Sequence, residues 1–267
     1  MLLTSKEKSY REEIILDSEF GKARTLWYGF ENKDKAPVFF DLHGGGFILG
    51  SADMDDTMCR EFNKQAGCKV ISIEYCKAPD YPYPAAVNQV YGIIKKIVEE
   101  AEKYAIDVNK VGIGGHSAGG NLSTVACMMA KKEGNFRFAC QVLDYPPLDL
   151  ATKTTEKPRP SGSVPPWMAT VFNTCYVDPA RAKEPYASPV YASPQDLIGM
   201  PPALFIVAGR DSLHDEGVKY CAMLEAAGVI TECHDYPNAG HGFTLNSSLD
   251  TTDAIAKMSA FLKKYLQ

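Results

Sequence analysis

Apolar positions along the chain follow two rhythms. Runs of β-branched and aromatic residues at 13–16, 23–30 and 38–42 read as strands. The first two flank Asp17-Ser18-Glu19-Phe20-Gly21, which predicts a hairpin turning near Gly21. In the third, Val38, Phe39, Phe40 and Leu42 place apolar groups on both faces, the pattern of a strand covered on both sides. Helical and extended segments then alternate. A helix is predicted at 54–65, a strand at 69–75, a helix opened by Pro84 and running to about 104, and a strand at 111–115. The next helix starts from Ser117, with Leu122, Val125, Ala126 and Met129 spaced to share one face. Strands at 138–143, 203–208 and 230–236 and helices at 214–227 and 252–266 complete the series. This order implies right-handed crossovers, hence an α/β fold with a mostly parallel central sheet, an antiparallel N-terminal edge and helices on both faces.

One stretch breaks the alternation. Residues 150–200 are rich in proline and carry an aromatic cluster, Trp167, Phe172 and Tyr176. A structureless loop of that length is rare inside a compact domain. The segment is expected to be a cap or lid insertion over one end of the sheet, with a short helix near 167–176. At 267 residues the chain suits one domain, 1–267, carrying that insertion.

Composition narrows the class. Hydrophobic residues make up 45% and charged residues 23%, which excludes a disordered chain. A net charge of −5 argues against a nucleic-acid surface. No apolar run reaches the roughly 18 residues a membrane span needs, and the N-terminus has no signal-peptide core. Eight cysteines without a Cys-x-x-Cys pair read as reduced thiols, so the expected compartment is cytoplasmic.

Candidate chemistry sits where predicted strands end. Gly115-His116-Ser117-Ala118-Gly119 matches a nucleophile elbow, G-x-S-x-G, between a strand and a helix. Small neighbours permit the sharp turn that lifts a serine hydroxyl clear. The alternative reading of the motif is a glycine-rich helix start that packs closely or binds an anion, which the preceding strand and following amphipathic helix disfavour. A serine needs a base. Of five histidines, His116 should point away from the hydroxyl and His234 lies within a strand, whereas His241 occupies the glycine-flanked loop Gly240-His241-Gly242 after the last strand. Asp211, following the strand at 203–208, is placed to orient the imidazole; Asp215 and Glu216 fall in the next helix, as caps or solvent-facing groups. The order Ser117, Asp211, His241 is the one expected of an α/β-hydrolase. Three glycines in His43-Gly44-Gly45-Gly46-Phe47 end the third strand and leave backbone N–H groups uncovered. They suit donation to an oxyanion, together with the Ala118 N–H. No lysine with serine or threonine follows them, so a phosphate loop is disfavoured. No metal-ligand spacing is present, and neither metal nor cofactor is expected.

Together these motifs resemble the hormone-sensitive-lipase-like family of esterases, from about residue 36 to the C-terminus. The resemblance rests on His43-Gly44-Gly45-Gly46-Phe47, on Gly115-His116-Ser117-Ala118-Gly119-Gly120-Asn121-Leu122, on Asp211-Ser212-Leu213-His214-Asp215-Glu216-Gly217 and on Gly240-His241-Gly242-Phe243. A further segment, Tyr75-Cys76-Lys77-Ala78-Pro79-Asp80, is similar to the family's Tyr-x-Leu-Ala-Pro-Glu stretch, with Lys77 and Asp80 as departures. The resemblance implies a serine carboxylesterase hydrolysing short- to medium-chain acyl esters. It implies Ser117 as nucleophile, His241 as base, Asp211 as acid, and Gly44, Gly45 and Ala118 as oxyanion donors. Only 42 residues precede His43, so the roof of the pocket must come chiefly from the proline-rich insertion, with Trp167 and Met168, and Phe47 below, lining the substrate pocket.

Two rivals share the motifs. An amidase or deacetylase would use the same three side chains on a poorer leaving group. A non-catalytic small-molecule-binding relative would lack the histidine, and His241 is present. The expected partner is a small ester, with no nucleic acid and no membrane span. The edge strand at 230–236 could pair two subunits into a homodimer.

Overall fold

The computed structural model describes residues 11–267. Most of the stretch read for a signal-peptide core, residues 1–10, lies outside the described residues. Strands β1 (Arg11–Ser18) and β2 (Gly21–Tyr28) form the expected hairpin, with Ser18 opposite Gly21. Gly21 sits at φ +90°, which explains a glycine at the turn. The chain continues through β3 (Ala36–Leu42), helix α1 (Asp56–Ala66), β4 (Lys69–Glu74), α2 (Ala85–Glu99) and β5 (Ile106–His116). Helix α3 (Ala118–Glu133), β6 (Cys140–Asp144), α4 (Pro166–Tyr176) and the single turn α5 (Pro194–Leu197) follow. Then come β7 (Ala203–Arg210), α6 (His214–Ala226), β8 (Thr231–Gly240) and α7 (Leu249–Leu266).

The strands form one eight-stranded sheet in the order β1-β2-β4-β3-β5-β6-β7-β8. The β1/β2 and β2/β4 pairs are antiparallel and every other pair is parallel. Strand β3 shows why the apolar run was continuous. Val38, Phe40 and Leu42 enter one hydrophobic core with α2, α3 and α6, while Phe39 enters a second with α1 and α7. Burial on both faces leaves no polar side to alternate.

The boundary between α2 and β5 differs most from the sequence expectation. Helix α2 stops at Glu99 instead of near 104, and β5 starts at Ile106, five residues before the apolar run. Ala105 takes φ +52°, turning the chain so that Ile106 pairs with Ala36 ahead of a register shift. Asp107, Asn109 and Lys110 lie in this first half of β5 and mask it as loop. All eight cysteines are free thiols, five of them buried.

The parallel strands all end on the same side. β3 delivers the triple glycine, β5 the Gly115–Gly119 turn, β7 Asp211 and β8 His241. Four sequence-distant motifs thus share one sheet edge, the position where open α/β sheets bind ligands.

Candidate active site

Strand β5 lies between β3 and β6, and α3 departs immediately after it. Ser117 makes the turn at φ 52°, ψ −123°, a conformation that non-glycine residues rarely adopt. Its N–H donates to the Asp144 carbonyl at 2.8 Å, fixing the turn to β6. A Cβ on Gly115 would lie 2.2 Å from the Leu42 carbonyl oxygen, and one on Gly119 only 1.8 Å from it. The two flanking glycines are therefore required by the approach of β3.

His241 sits just past β8 and bridges two partners. Its Nδ1 lies 2.6 Å from Asp211 Oδ2, and its Nε2 lies 3.0 Å from Ser117 Oγ. Asp211 is 2% exposed, and its Oδ1 accepts the Leu213 N–H at 3.3 Å. A carboxylate facing Nδ1 assigns the ring proton to that nitrogen, leaving Nε2 to accept from the serine hydroxyl. The Tyr145 ring packs edge-on against the imidazole, centroids 4.9 Å apart. The Tyr145 hydroxyl is bonded to Thr244, which donates to Asp144 Oδ2 at 2.6 Å. The His241 N–H donates to the Gly162 carbonyl at 2.9 Å, tying the imidazole loop to the insertion.

The glycine loop corrects one sequence expectation. The Gly44 N–H donates to His116 Nε2 at 3.1 Å, so it is already occupied and directed inward. Gly45 and Gly46 line the cleft instead. Among the described residues, no acceptor takes the N–H groups of Gly45 and Gly46, and Ala118, first residue of α3, has no intrahelical acceptor for its own. Gly45 stands at φ +117° and Gly46 at φ +61°; a Cβ on Gly46 would meet the Phe172 ring at 2.3 Å. The Gly45, Gly46 and Ala118 N–H groups are thus left without an acceptor among the described residues, whereas that of Gly44, expected as an oxyanion donor, is taken. His43 packs flat on Tyr75, whose hydroxyl donates to the His43 carbonyl at 2.8 Å, and burial lowers its pKa to about 3.

The cleft above Ser117 holds about 310 Å³ and is mainly apolar. Helix α4 presents Pro166, Ala169, Phe172 and Asn173 to it, a spacing that defines one helical face. Trp167 and Met168 do not line it, and Trp167 is 68% exposed. Both fall off the inward face of α4, and this corrects their assignment to the pocket. Phe47 does line the cleft, but it is buried and stacks on Tyr176 with centroids 3.8 Å apart. It anchors the glycine loop to the end of α4.

A family of proteins with the α/β hydrolase fold matches residues 39–245. Esterase LipI of Mycobacterium tuberculosis is 30% identical over 236 residues, 86% of this chain and 74% of LipI. That span decides the relationship. The chain belongs to the hormone-sensitive-lipase-like family of α/β-hydrolases. Carboxylic ester hydrolase LipN of the same organism is 35% identical over 247 residues, covering 85% of this hydrolase and 64% of LipN. The solved structure of a hyperthermophilic esterase from Pyrobaculum calidifontis superposes with a TM-score of 0.87 at 32% identity, over 96% of this hydrolase and 85% of that chain.

Not every acidic side chain of this α/β-hydrolase behaves as its position suggests. Asp215 and Asp235 sit on either side of His214, at 2.9 and 3.2 Å, in a surface cluster that leaves Asp211 alone beside His241. Glu216, expected at a helix surface, is buried instead. It accepts the Leu148 N–H at 2.7 Å and the Asp149 N–H at 3.2 Å, and pairs closely with Lys157. Burial raises its carboxyl to about 7. The glutamate thereby holds the first turn of the insertion against α6. A helical position alone gave no signal of this, because the partners lie 59 to 68 residues away.

Proposed function

We propose that this hydrolase is a serine carboxylesterase acting on short- to medium-chain acyl esters. The single observation that carries the reading is His241, within hydrogen-bond reach of both Ser117 Oγ and Asp211 Oδ2. In this reading residues 1–267 act as one α/β-hydrolase domain, with residues of about 150–200 as its cap. The size of the cleft supports a small acyl group: its volume lies at the low end for a small-molecule site.

The reaction proceeds in two acyl transfers. Ser117 Oγ gives its proton to His241 Nε2 and bonds to the ester carbonyl carbon. The carbonyl oxygen becomes an oxyanion, held by the N–H groups of Gly45, Gly46 and Ala118. Asp211 stabilises the imidazolium without taking its proton. His241 then protonates the leaving alcohol as the C–O bond breaks, giving an acyl-Ser117 ester. Water, deprotonated by His241, attacks that ester, and His241 returns the proton to Ser117 Oγ as the acyl–Oγ bond breaks, releasing the acid. The strained backbone at Ser117 suits this role, because it presents Oγ above the sheet edge.

Steady-state kinetics on p-nitrophenyl esters test the reading. Ser117→Ala should lower kcat by roughly 10⁴-fold or more while the fold is kept. Activity on p-nitrophenyl acetate that survives this substitution nearly intact contradicts it. A preference peaking beyond about ten acyl carbons would contradict the size inference alone. Higher kcat/KM on a matched anilide than on the ester would favour an amidase.

A further inference from the structure

The residue preceding the nucleophile faces away from it and into the glycine loop. His116 ends β5 and is 2% exposed. We propose that His116 is a positioning residue for the oxyanion loop: its Nε2 accepts the Gly44 N–H, with the ring in the Nδ1–H tautomer that this bond requires. The proposal rests on the serine-esterase reading and adds to it a residue that touches no substrate.

Three observations lead to it. First, the Gly44 N–H lies 3.1 Å from His116 Nε2, across 72 residues of sequence. A neutral imidazole accepts on one nitrogen only, so an accepting Nε2 requires the proton on Nδ1. Second, Nδ1 lies 3.2 Å from Asp55 Oδ1. That nitrogen and both Asp55 oxygens are sealed from solvent, close to one another but short of hydrogen-bond geometry, and Asp41 adjoins Asp55. Third, the imidazole packs directly on the loop. A Cβ added to Gly44 would lie 2.7 Å from the ring.

The surroundings keep the imidazole an acceptor. Burial lowers its pKa to about 4, so at neutral pH it carries no charge. Asp41 and His241 also act on it, and the Tyr145 ring packs against it at 6.0 Å. Asp41 lies beside Asp55, and burial raises both carboxyls to about 8; Asp41 is also bonded to Ser72 at 2.7 Å.

The mechanical consequence concerns Gly45 and Gly46. Three consecutive glycines have no side chains of their own to fix their direction. An anchor at Gly44 sets the plane of the next peptide, and with it the aim of the following N–H groups. A misplacement of about 1 Å in such a donor array costs on the order of 10²-fold in rate. Because His116 is adjacent to Ser117, one short segment fixes both the nucleophile and the donors it needs.

His116→Leu removes the acceptor, and His116→Gln can restore it through Oε1. With the leucine variant folded, kcat should fall about 10- to 100-fold and KM change less than about threefold. The affinity for a trifluoromethyl ketone, whose adduct with serine bears an oxyanion, should fall in parallel. Glutamine should recover most of both. A leucine variant that keeps wild-type kcat overturns the proposal, as does equal impairment of both variants with inhibitor affinity unchanged. If the leucine variant does not fold, ¹⁵N-imidazole NMR of the wild-type protein decides, with the glutamine variant assigning the signal. His116 should be the Nδ1–H tautomer with an accepting Nε2, and it should not titrate between about pH 6 and 9. An Nε2–H tautomer overturns the proposal. Wild-type protein that hydrolyses no ester removes the functional reading instead, while the tautomer is still read directly.

Discussion

Ser117 and its neighbours illustrate how few residue types the site tolerates. A methyl on Gly119 would collide with a β3 carbonyl at 1.8 Å, and backbone does not yield as a flexible side chain does. Gly119→Ala is expected to destabilise the protein by about 3 kcal/mol or more, or to abolish soluble expression, as judged by denaturant melts. Asp211→Asn should leave the melting curve close to wild type and lower kcat by about 10⁴-fold, by removing the acceptor that sets the His241 tautomer. Equal loss of stability and activity would mean that Asp211 serves the fold. The three side chains that converge were legible because each stands just after a strand readable in the sequence. The occupation of the Gly44 N–H was not legible. Its acceptor belongs to another motif, and only the packing of β3 on β5 brings the two together.

Among the elements, α4 shows where periodicity helps and where it stops. A short helix was expected near 167–176, over the aromatic cluster of the insertion, and it spans Pro166–Tyr176. Which face turns inward depends on the contact of Phe172 with Gly46, which no local pattern encodes. Phe172→Ala should enlarge the cleft and move the preferred acyl chain to greater length, whereas Trp167→Ala should leave the chain-length profile unchanged. The opposite pair of outcomes would put Trp167 back in the pocket. The early start of β5 was hidden for a related reason. Asp107, Asn109 and Lys110 read as loop, and pairing of Ile106 with Ala36 overrides them.

For the molecule as a whole, the eight-strand order places four motifs at one edge and leaves carboxyl groups buried beneath them. Asp41 and Asp55 are each raised to about 8 by burial, and Asp144 is raised as well. An acid whose folded pKa exceeds its unfolded value gives stability that is fully present below the unfolded value and lost as pH rises through the folded one. Buried His43 and His116 act oppositely. Their folded values, about 3 and 4, make stability fall as pH drops below about 6.5. Above that pH the histidine contribution is constant, and only the loss remains. Unfolding free energy should therefore decline between about pH 6.5 and 8, by up to about 1.4 kcal/mol per pH unit for each titrating carboxyl. Denaturant melts at the two pH values check this, and Asp55→Asn should flatten the slope. A stability that rises across that interval contradicts the burial account. None of this was visible in the composition, because Asp41 and Asp55 are ordinary acids until β5 and α1 close over them.

Covalent trapping tests the central claim most directly. The protein is mixed with p-nitrophenyl acetate, quenched in acid within the first turnovers, digested and examined by mass spectrometry. The account predicts a p-nitrophenol burst and an acetyl group on Ser117 that is absent from the Ser117→Ala variant. Steady turnover with no burst, no modified serine and undiminished activity in that variant would contradict it.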